Sequence, residues 1–169
     1  MTSVRRERAA DRPAIHALLT AAFGSAAEAD LVDTLRREGD LALSLVAERQ
    51  GVIVGHVAFS PMRVTAREGA TITAMGLAPL AVAADSQRQG LGARLVHAGL
   101  DELRTQGLAM VFLLGDATYY GRFGFLAETA APFASPYAGP HFLALKLDPS
   151  LALPQKGQAD YAPAFAALG

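Results

Sequence analysis

The chain has no cysteine among its 169 residues. That excludes disulfides, thiolate metal sites and a cysteine nucleophile. It leaves the redox compartment open. The chain also lacks an excess of either charge. Its 15 basic and 16 acidic residues leave a net charge of −1, so no electrostatic drive toward nucleic acid or an anionic membrane is expected. Lysine is scarce: only Lys146 and Lys156 occur, and the other basic residues are arginine. With abundant alanine, this bias points to a GC-rich bacterial genome. No apolar run reaches the ~18 residues needed to span a bilayer. The longest, Ala74 to Ala84, contains Gly76 and Pro79. The polar, basic start from Met1 to Arg8 has no apolar stretch behind it and does not read as a secretory signal. Internal repeats and low-complexity tracts are absent. A soluble, cytoplasmic protein is expected.

What is present is core-forming. Apolar residues make up 51% and charged residues 18%, which excludes a disordered, charge-rich chain. The length fits one domain, here 1–169, with a core over about 2–148 and a tail, 149–169, packed back on it.

The order of elements is informative. Thr2 to Glu7 reads as a strand. Asp11 stands as an N-cap with Pro13 in the first turn of a helix, whose inner face is Ile15, Leu18, Leu19, Ala22 and Phe23; Gly24 ends it. Ser25 and Glu28 have capping-box spacing before a second helix with Leu31, Val32 and Leu35 inward, ending at Gly39. Three strands follow: Ala42 to Glu48, Val52 to Phe59 with Pro61 loosening its end, and Ala70 to Val82. Pro79 cannot donate to a ladder, so the third should bulge or splay there. After a polar loop, Leu95, Val96, Gly99, Leu100 and Leu103 form one helical stripe. Leu108 to Leu114 reads as a strand buried on both faces. Gly115 to Phe125 is a compact turn or short helix, Phe125 to Ala130 reads as a strand, Ala131 to Pro140 as a loop and His141 to Leu147 as a last strand. The sum is a mixed α/β sheet with helices on both faces.

The strongest local signal is Gln87-Arg88-Gln89-Gly90-Leu91-Gly92-Ala93, between a strand and a helix. Glycines let a backbone approach a ligand. Successive N–H groups and the positive end of a helix make an anion site suited to pyrophosphate. The same pattern also fits a connection that binds nothing. No G-x-x-x-x-G-K-[ST] is present, so this is not a P-loop. A Rossmann fingerprint needs a third glycine where Leu95 stands.

Gln87-x-x-Gly90-x-Gly92 resembles the Q/R-x-x-G-x-G/A acetyl-CoA loop of the GNAT superfamily of N-acetyltransferases. Leu80-Ala81-Val82 looks like that family's L-x-V strand end, and Tyr119-Tyr120-Gly121-Arg122-Phe123-Gly124-Phe125 is similar to its F-Y-x-K-x-G-F segment. The wording from Leu114 to Phe125, with Tyr161 to Phe165 near the end, looks like the YhbS-type branch of predicted acetyltransferases. The resemblance implies a mostly antiparallel sheet splayed at its central strands. It implies pantetheine beside Leu80, Ala81 and Val82, and pyrophosphate on Gln87, Arg88, Gln89, Gly90, Leu91, Gly92 and Ala93. Further cofactor contacts are expected at Asp116 and Tyr119. Tyr120 matches the tyrosine that protonates the departing thiolate, a role a phenol can fill. Acetyl-CoA is then a cosubstrate, no metal is needed, and the acceptor is a small-molecule or peptide amine. With no cysteine, direct transfer in a ternary complex is expected. A homodimer is allowed; nucleic acid and membrane are not expected as partners.

One departure matters. Many relatives carry a glutamate base on the strand before the loop, and Met75 to Val82 has no carboxylate. Asp116, His56, Ser60 and His141 are candidates, and the base is unassigned. A non-catalytic acyl-CoA sensor is therefore the alternative, and another nucleotide- or phosphate-binding protein using the same loop is a third reading. None of His16, His56, His97 and His141 shows metal-ligand spacing in the sequence. Arg5-Arg6 and Arg36-Arg37 read as solvated faces, and Arg122 as either a phosphate contact or a solvated side chain.

Overall fold

The computed structural model describes residues 1–168. The elements are β1 (Thr2–Arg6), α1 (Arg12–Phe23), α2 (Ala27–Arg37), β2 (Leu43–Arg49), β3 (Val52–Ala66), β4 (Thr71–Val82), α3 (Leu91–Thr105), β5 (Met110–Leu114), α4 (Ala117–Tyr120), α5 (Ala127–Ala130), β6 (Phe133–Ala134), β7 (Phe142–Lys146) and β8 (Gly157–Asp160), with short 3-10 turns between them. The eight strands form one mixed, mostly antiparallel sheet in the order β1-β2-β3-β4-β5-β7, with β8 beside β3 and β6 beside β8. β4 and β5 run parallel and pair over Ala74–Gly76 against Met110–Phe112.

The described residues divide into two compact units. The first holds Met1–Ser60, Ala78–Gly99 and the stretch from Pro163 on; the second holds Pro61–Leu77 and Leu100–Ala162. In the first, Ile15 and Leu19 of α1, Ala29 and Val32 of α2, Val46, Ala58 and Ala81 bury together. α3 approaches β3 closely because Gly99 has no side chain: a Cβ there would lie 2.3 Å from the Phe59 ring. In the second, Met62, Val64, Ile72, Met110 and Ala159 surround three phenylalanines. Phe112 stands edge-on to Phe133 at 5.3 Å and stacks on Phe142 at 5.4 Å.

The sequence expectations hold for the stripes of α2 and α3, for Ile15, Leu18 and Leu19 of α1, and for most strands; Ala22 and Phe23, expected on the inner face of α1, are exposed in its last turn. Elsewhere they fail where local signals meet distant partners. Asp11 precedes α1 but does not cap it; its carboxylate takes the Arg8 N–H and the Arg5 guanidinium instead. The Ser25–Glu28 capping box does not form. Ala26 is the N-cap, and Ser25 Oγ reaches only Ala27 N–H at 3.4 Å. β3 runs on through Pro61 to Ala66, because Pro61 is exposed and the strand beyond it gains β8 as a partner. Phe125 to Ala130 is a single helical turn, α5, with one bridge from Leu126 to Ala144, rather than a strand. The tail does more than pack: Gly157–Asp160 adds a strand, and by pairing with it Phe133–Ala134, inside the expected loop Ala131 to Pro140, becomes the short strand β6.

The β3–β4 pair is irregular over a span that includes Pro79. Ala66 N–H bonds Ala70 O, and Ala83 N–H bonds Val54 O. Between those two bonds β4 holds one residue more than β3, the signature of a bulge.

Candidate functional site

In the first unit, β4 delivers Leu80, Ala81 and Val82. The Ala81 side chain is buried in the core, while Leu80 and Val82 are half-buried, so Ala81 can meet a ligand only through its backbone. A 3-10 turn, Ala84–Ser86, then leads into the glycine loop. Gln87 folds back, its Nε2 donating to Val82 O at 3.2 Å. Arg88 (φ 63°) and Gly90 (φ 78°) are both left-handed, a conformation that costs a non-glycine residue energy. A Cβ on Gly90 would meet nothing within 4 Å, so the glycine serves the backbone turn and leaves the loop open outward. Helical bonding starts with Arg94 N–H to Gly90 O at 3.0 Å. The N–H groups of Leu91, Gly92 and Ala93 belong to the first helical turn and have no acceptor one turn earlier in α3. They sit at its positive end. Gln87, Arg88, Gln89 and Gly90 are exposed, Gly92 and Ala93 half-buried, and the Leu91 side chain is buried as the anchor.

Two arginines that the sequence reading missed brace this loop. Arg49, at the end of β2, donates to Gln89 Oε1 at 2.6 Å, Ser86 Oγ at 3.4 Å and Thr2 Oγ1 at 3.0 Å. Arg94 donates to Thr2 O at 3.0 Å. Arg49 thus brings positive charge onto the loop at Gln89, while Arg94 ties the start of α3 to β1. No local pattern announces Arg49; its partners lie at the chain start and in the loop.

The first unit also buries a polar chain. Glu7 accepts from Arg36 at 2.9 Å through both of its oxygens, and from Ser44 Oγ at 2.6 Å. Burial pushes the Glu7 carboxyl up, yet the hydrogen bonds from Arg36 and Ser44 outweigh it and hold it below the usual carboxylate range. An ionised carboxylate only accepts, so Ser44 gives it its one proton and must accept from His56 Nε2–H, 2.9 Å away. His56 is therefore the Nε2–H tautomer, with a bare lone pair on Nδ1. That atom is buried without a partner. Burial, with a smaller push from Arg36, takes the imidazole down to about 4. Ser60 is likewise fully buried, its Oγ unpartnered. Arg36 and Arg5, expected as solvated faces, are ion-pair centres: Arg36 with Glu7 and Asp33, Arg5 with Asp11 and Glu48.

His16 lies 3.2 Å from Asp30 and 3.7 Å from Asp33, a grouping across α1 and α2 that the sequence spacing does not display. These groups are partly or fully exposed, as a surface ion pair would be.

The second unit holds the tyrosines. Asp116 caps α4, its Oδ1 accepting Thr118 N–H at 2.9 Å. α4 sets Tyr119 and Tyr120 edge-on at 4.9 Å, so both rings belong to one aromatic group with Phe123 and Phe125. Gly115 makes room, since a Cβ there would lie 2.5 Å from the Tyr120 ring. Burial, aided by Tyr119, pushes the Tyr120 phenol up to about 12, so it carries its proton throughout the neutral range. Arg122 is committed locally. Its guanidinium lies 4.5 Å over the Tyr119 ring and Nε donates to Tyr119 O. On the other side of Gly115, His141 is exposed, with Nδ1 3.3 Å from Gly115 O. A groove of about 380 Å³ opens beside the next residue, Phe142, with Ala130, Phe133 and Pro140 in its wall and Glu128 as its one charged group.

Among the described residues no helix is long and apolar enough to cross a membrane. Residues 3–127 match the model of an acetyltransferase (GNAT) domain. The chain is 47% identical over 123 residues to an uncharacterised N-acetyltransferase, YhbS, of Escherichia coli strain K12, covering 72% of each chain. Among solved structures, it is similar to the E. coli GNAT-family N-acetyltransferase YhbS in complex with CoA, with TM-score 0.87 and 37% identity over 99% of this chain and 93% of that one. It is also similar to a GNAT-family acetyltransferase from Brucella melitensis in complex with acetyl-CoA, with TM-score 0.80 and 35% identity over 98% of each chain.

Proposed function

The chain belongs to the GNAT acetyltransferase family, and from that premise we propose that it moves an acetyl group from acetyl-CoA to a primary amine by direct transfer. Both units serve one acyltransferase domain in this reading. The observation that carries it is the loop from Gln87 to Ala93. Left-handed Arg88 and Gly90 turn the backbone so that the first N–H groups of α3 precede any helical acceptor. Arg88 lies on this segment and Arg49 is bonded to it through Gln89. That combination suits a pyrophosphate. The backbone of Leu80 to Val82 pairs with the amide-bearing pantetheine arm as a strand edge pairs with a peptide. An N–H near Val82 steadies the thioester oxygen as negative charge develops on it. Tyr120, protonated at neutral pH, gives its proton to the departing sulfur. Asp116 and Tyr119 hold α4, and with it Tyr120, in place.

With no cysteine to form an acyl-enzyme, the amine attacks the thioester directly. The groove beside Phe142 suits an amine with an apolar body and little charge. Acetyl-CoA is an intracellular metabolite, so the reading places the enzyme in the cytoplasm. Calorimetric titration with acetyl-CoA, and with ATP and NAD as controls, tests it. Saturable binding of acetyl-CoA alone, followed by thiol release with an amine, is the expected result. Tight ATP or NAD binding without acetyl-CoA binding would overturn it. Binding with no transfer to any amine would leave a sensor.

A further inference from the structure

We propose that His141 is the general base that prepares the amine for attack, the role for which β4 offers no carboxylate; this rests on the acetyltransferase reading above. Four side chains were open for the role, and the structure separates them. His56 and Ser60 are fully buried. His56 is also locked, its Nε2–H spent on Ser44 and its Nδ1 buried without a partner. Asp116 is exposed, as His141 is, and is set apart by its cap: its Oδ1 is spent on the N-terminus of α4, where the Tyr120 helix depends on it.

His141 is placed differently. It is exposed, at the mouth of β7, and the β5 end is tied to it by Gly115 N–H to His141 O at 2.9 Å. Its Nδ1 faces Gly115 O. A carbonyl only accepts, so Nδ1 carries the proton and Nε2 keeps its lone pair, a tautomer set by the backbone as in other imidazole bases. The same Gly115 carries the Tyr120 ring on its Cα. One residue thus separates an imidazole able to take a proton from a phenol that holds one. Pro140 and Phe142, the residues on either side of His141, line the apolar groove, while His141 itself stays outside its wall; in this proposal the amine lays its body in the groove and extends its nitrogen out to His141.

The proton balance closes. The amine arrives as an ammonium. Nε2 takes one proton and passes it to solvent. The nitrogen lone pair forms the C–N bond to the thioester carbon, and the C–S bond breaks with its electron pair on sulfur. Tyr120 gives its proton to that sulfur, and the second nitrogen proton replaces the one Tyr120 gave up. The products are an amide, CoA thiol and one proton released through His141.

The test uses the full chain and two amine probes. 2-Phenylethylamine is strongly basic and needs deprotonation at neutral pH; aniline is already unprotonated there. His141→Ala and the more conservative His141→Gln should lower thiol release with 2-phenylethylamine about 100-fold. They should leave aniline within about threefold and acetyl-CoA binding within about twofold, and added imidazole should restore part of the His141→Ala rate. An equal fall with both amines, without rescue, would make His141 a structural tie between β5 and β7 and overturn the assignment. So would no fall with either. Wild-type protein that binds acetyl-CoA but releases no thiol with these two amines, with a broad amine panel or with water overturns the enzymatic reading, and the base with it.

Discussion

The two units are built on opposite chemistry. The first buries charge and polarity: Glu7, Arg36, Ser44 and His56 in one chain, Arg5, Asp11 and Glu48 in another. The second buries rings: Phe112, Phe133 and Phe142 in its core, and Tyr119, Tyr120, Phe123 and Phe125 around Gly115. Polar networks depend on every partner being present and correctly charged. Aromatic packing depends on volume and shape, and is indifferent to pH until a phenol ionises. The part that would hold a phosphorylated cosubstrate is therefore the charge-sensitive one, and the part that would hold a proton donor is insulated.

The sharpest way to break the aromatic side is Phe112→Ala. It removes the ring that touches both Phe133 and Phe142 and should cost about 3–5 kcal/mol. The midpoint of urea unfolding, followed by circular dichroism, reads the loss, and a cost under 1 kcal/mol would mean that the ring trio is not the centre of that core.

The pH response should separate the units next. His56 is depressed from 6.5 to about 4 in the folded chain. Unfolded protein therefore binds a proton that the folded protein refuses, and stability falls as pH drops from 6.5 toward 4, by about 3 kcal/mol. His56→Gln should flatten that window in thermal melts taken from pH 8 to 4. On the alkaline side the sign reverses. Tyr120 is raised from 10 to about 12, and Tyr161 is raised further by burial. Their contribution is complete below pH 10 and is lost as pH rises through the folded values. A melt that weakens equally from both sides in the His56→Gln variant would contradict the division.

Tyr120→Phe keeps the ring and removes the proton. Thiol release with a cognate amine should drop about 100-fold, equivalent to about 3 kcal/mol at the transition state, with acetyl-CoA affinity unchanged; unaltered turnover would remove Tyr120 from the reaction. Smallest is Arg88→Ala. It should weaken acetyl-CoA binding about tenfold at low salt and leave melting within ±0.5 kcal/mol, since the side chain is exposed. An unchanged affinity would leave the loop's N–H groups as the whole anion site.

Much of this was legible in the chain before folding. The stripes of α2 and α3, the first two turns of that of α1, an irregular β4 and the glycine loop are local or periodic signals, and a helix face or a left-handed glycine is dictated within a few residues. The misreadings fall where local signals compete with distant partners. Pro61 was expected to end a strand that β8 instead prolongs. Asp11 was expected to cap a helix, and Arg5 draws its carboxylate away. Arg36 was read as solvated, although Glu7, 29 positions earlier, holds it.

The sequence by itself determined which residue types stand at which spacing: the order of strands and helices, the loop that presents N–H groups, the tyrosine four positions after Asp116, and the absence of a carboxylate on β4. Only the tertiary structure decided which two of the four candidate bases are buried and which two face solvent, which histidine nitrogen is bare, and which arginine holds the loop. Those facts depend on chain segments tens of residues apart meeting at hydrogen-bond distance. Burial then sets whether a given imidazole or phenol holds its proton, and spacing along the chain carries no measure of burial.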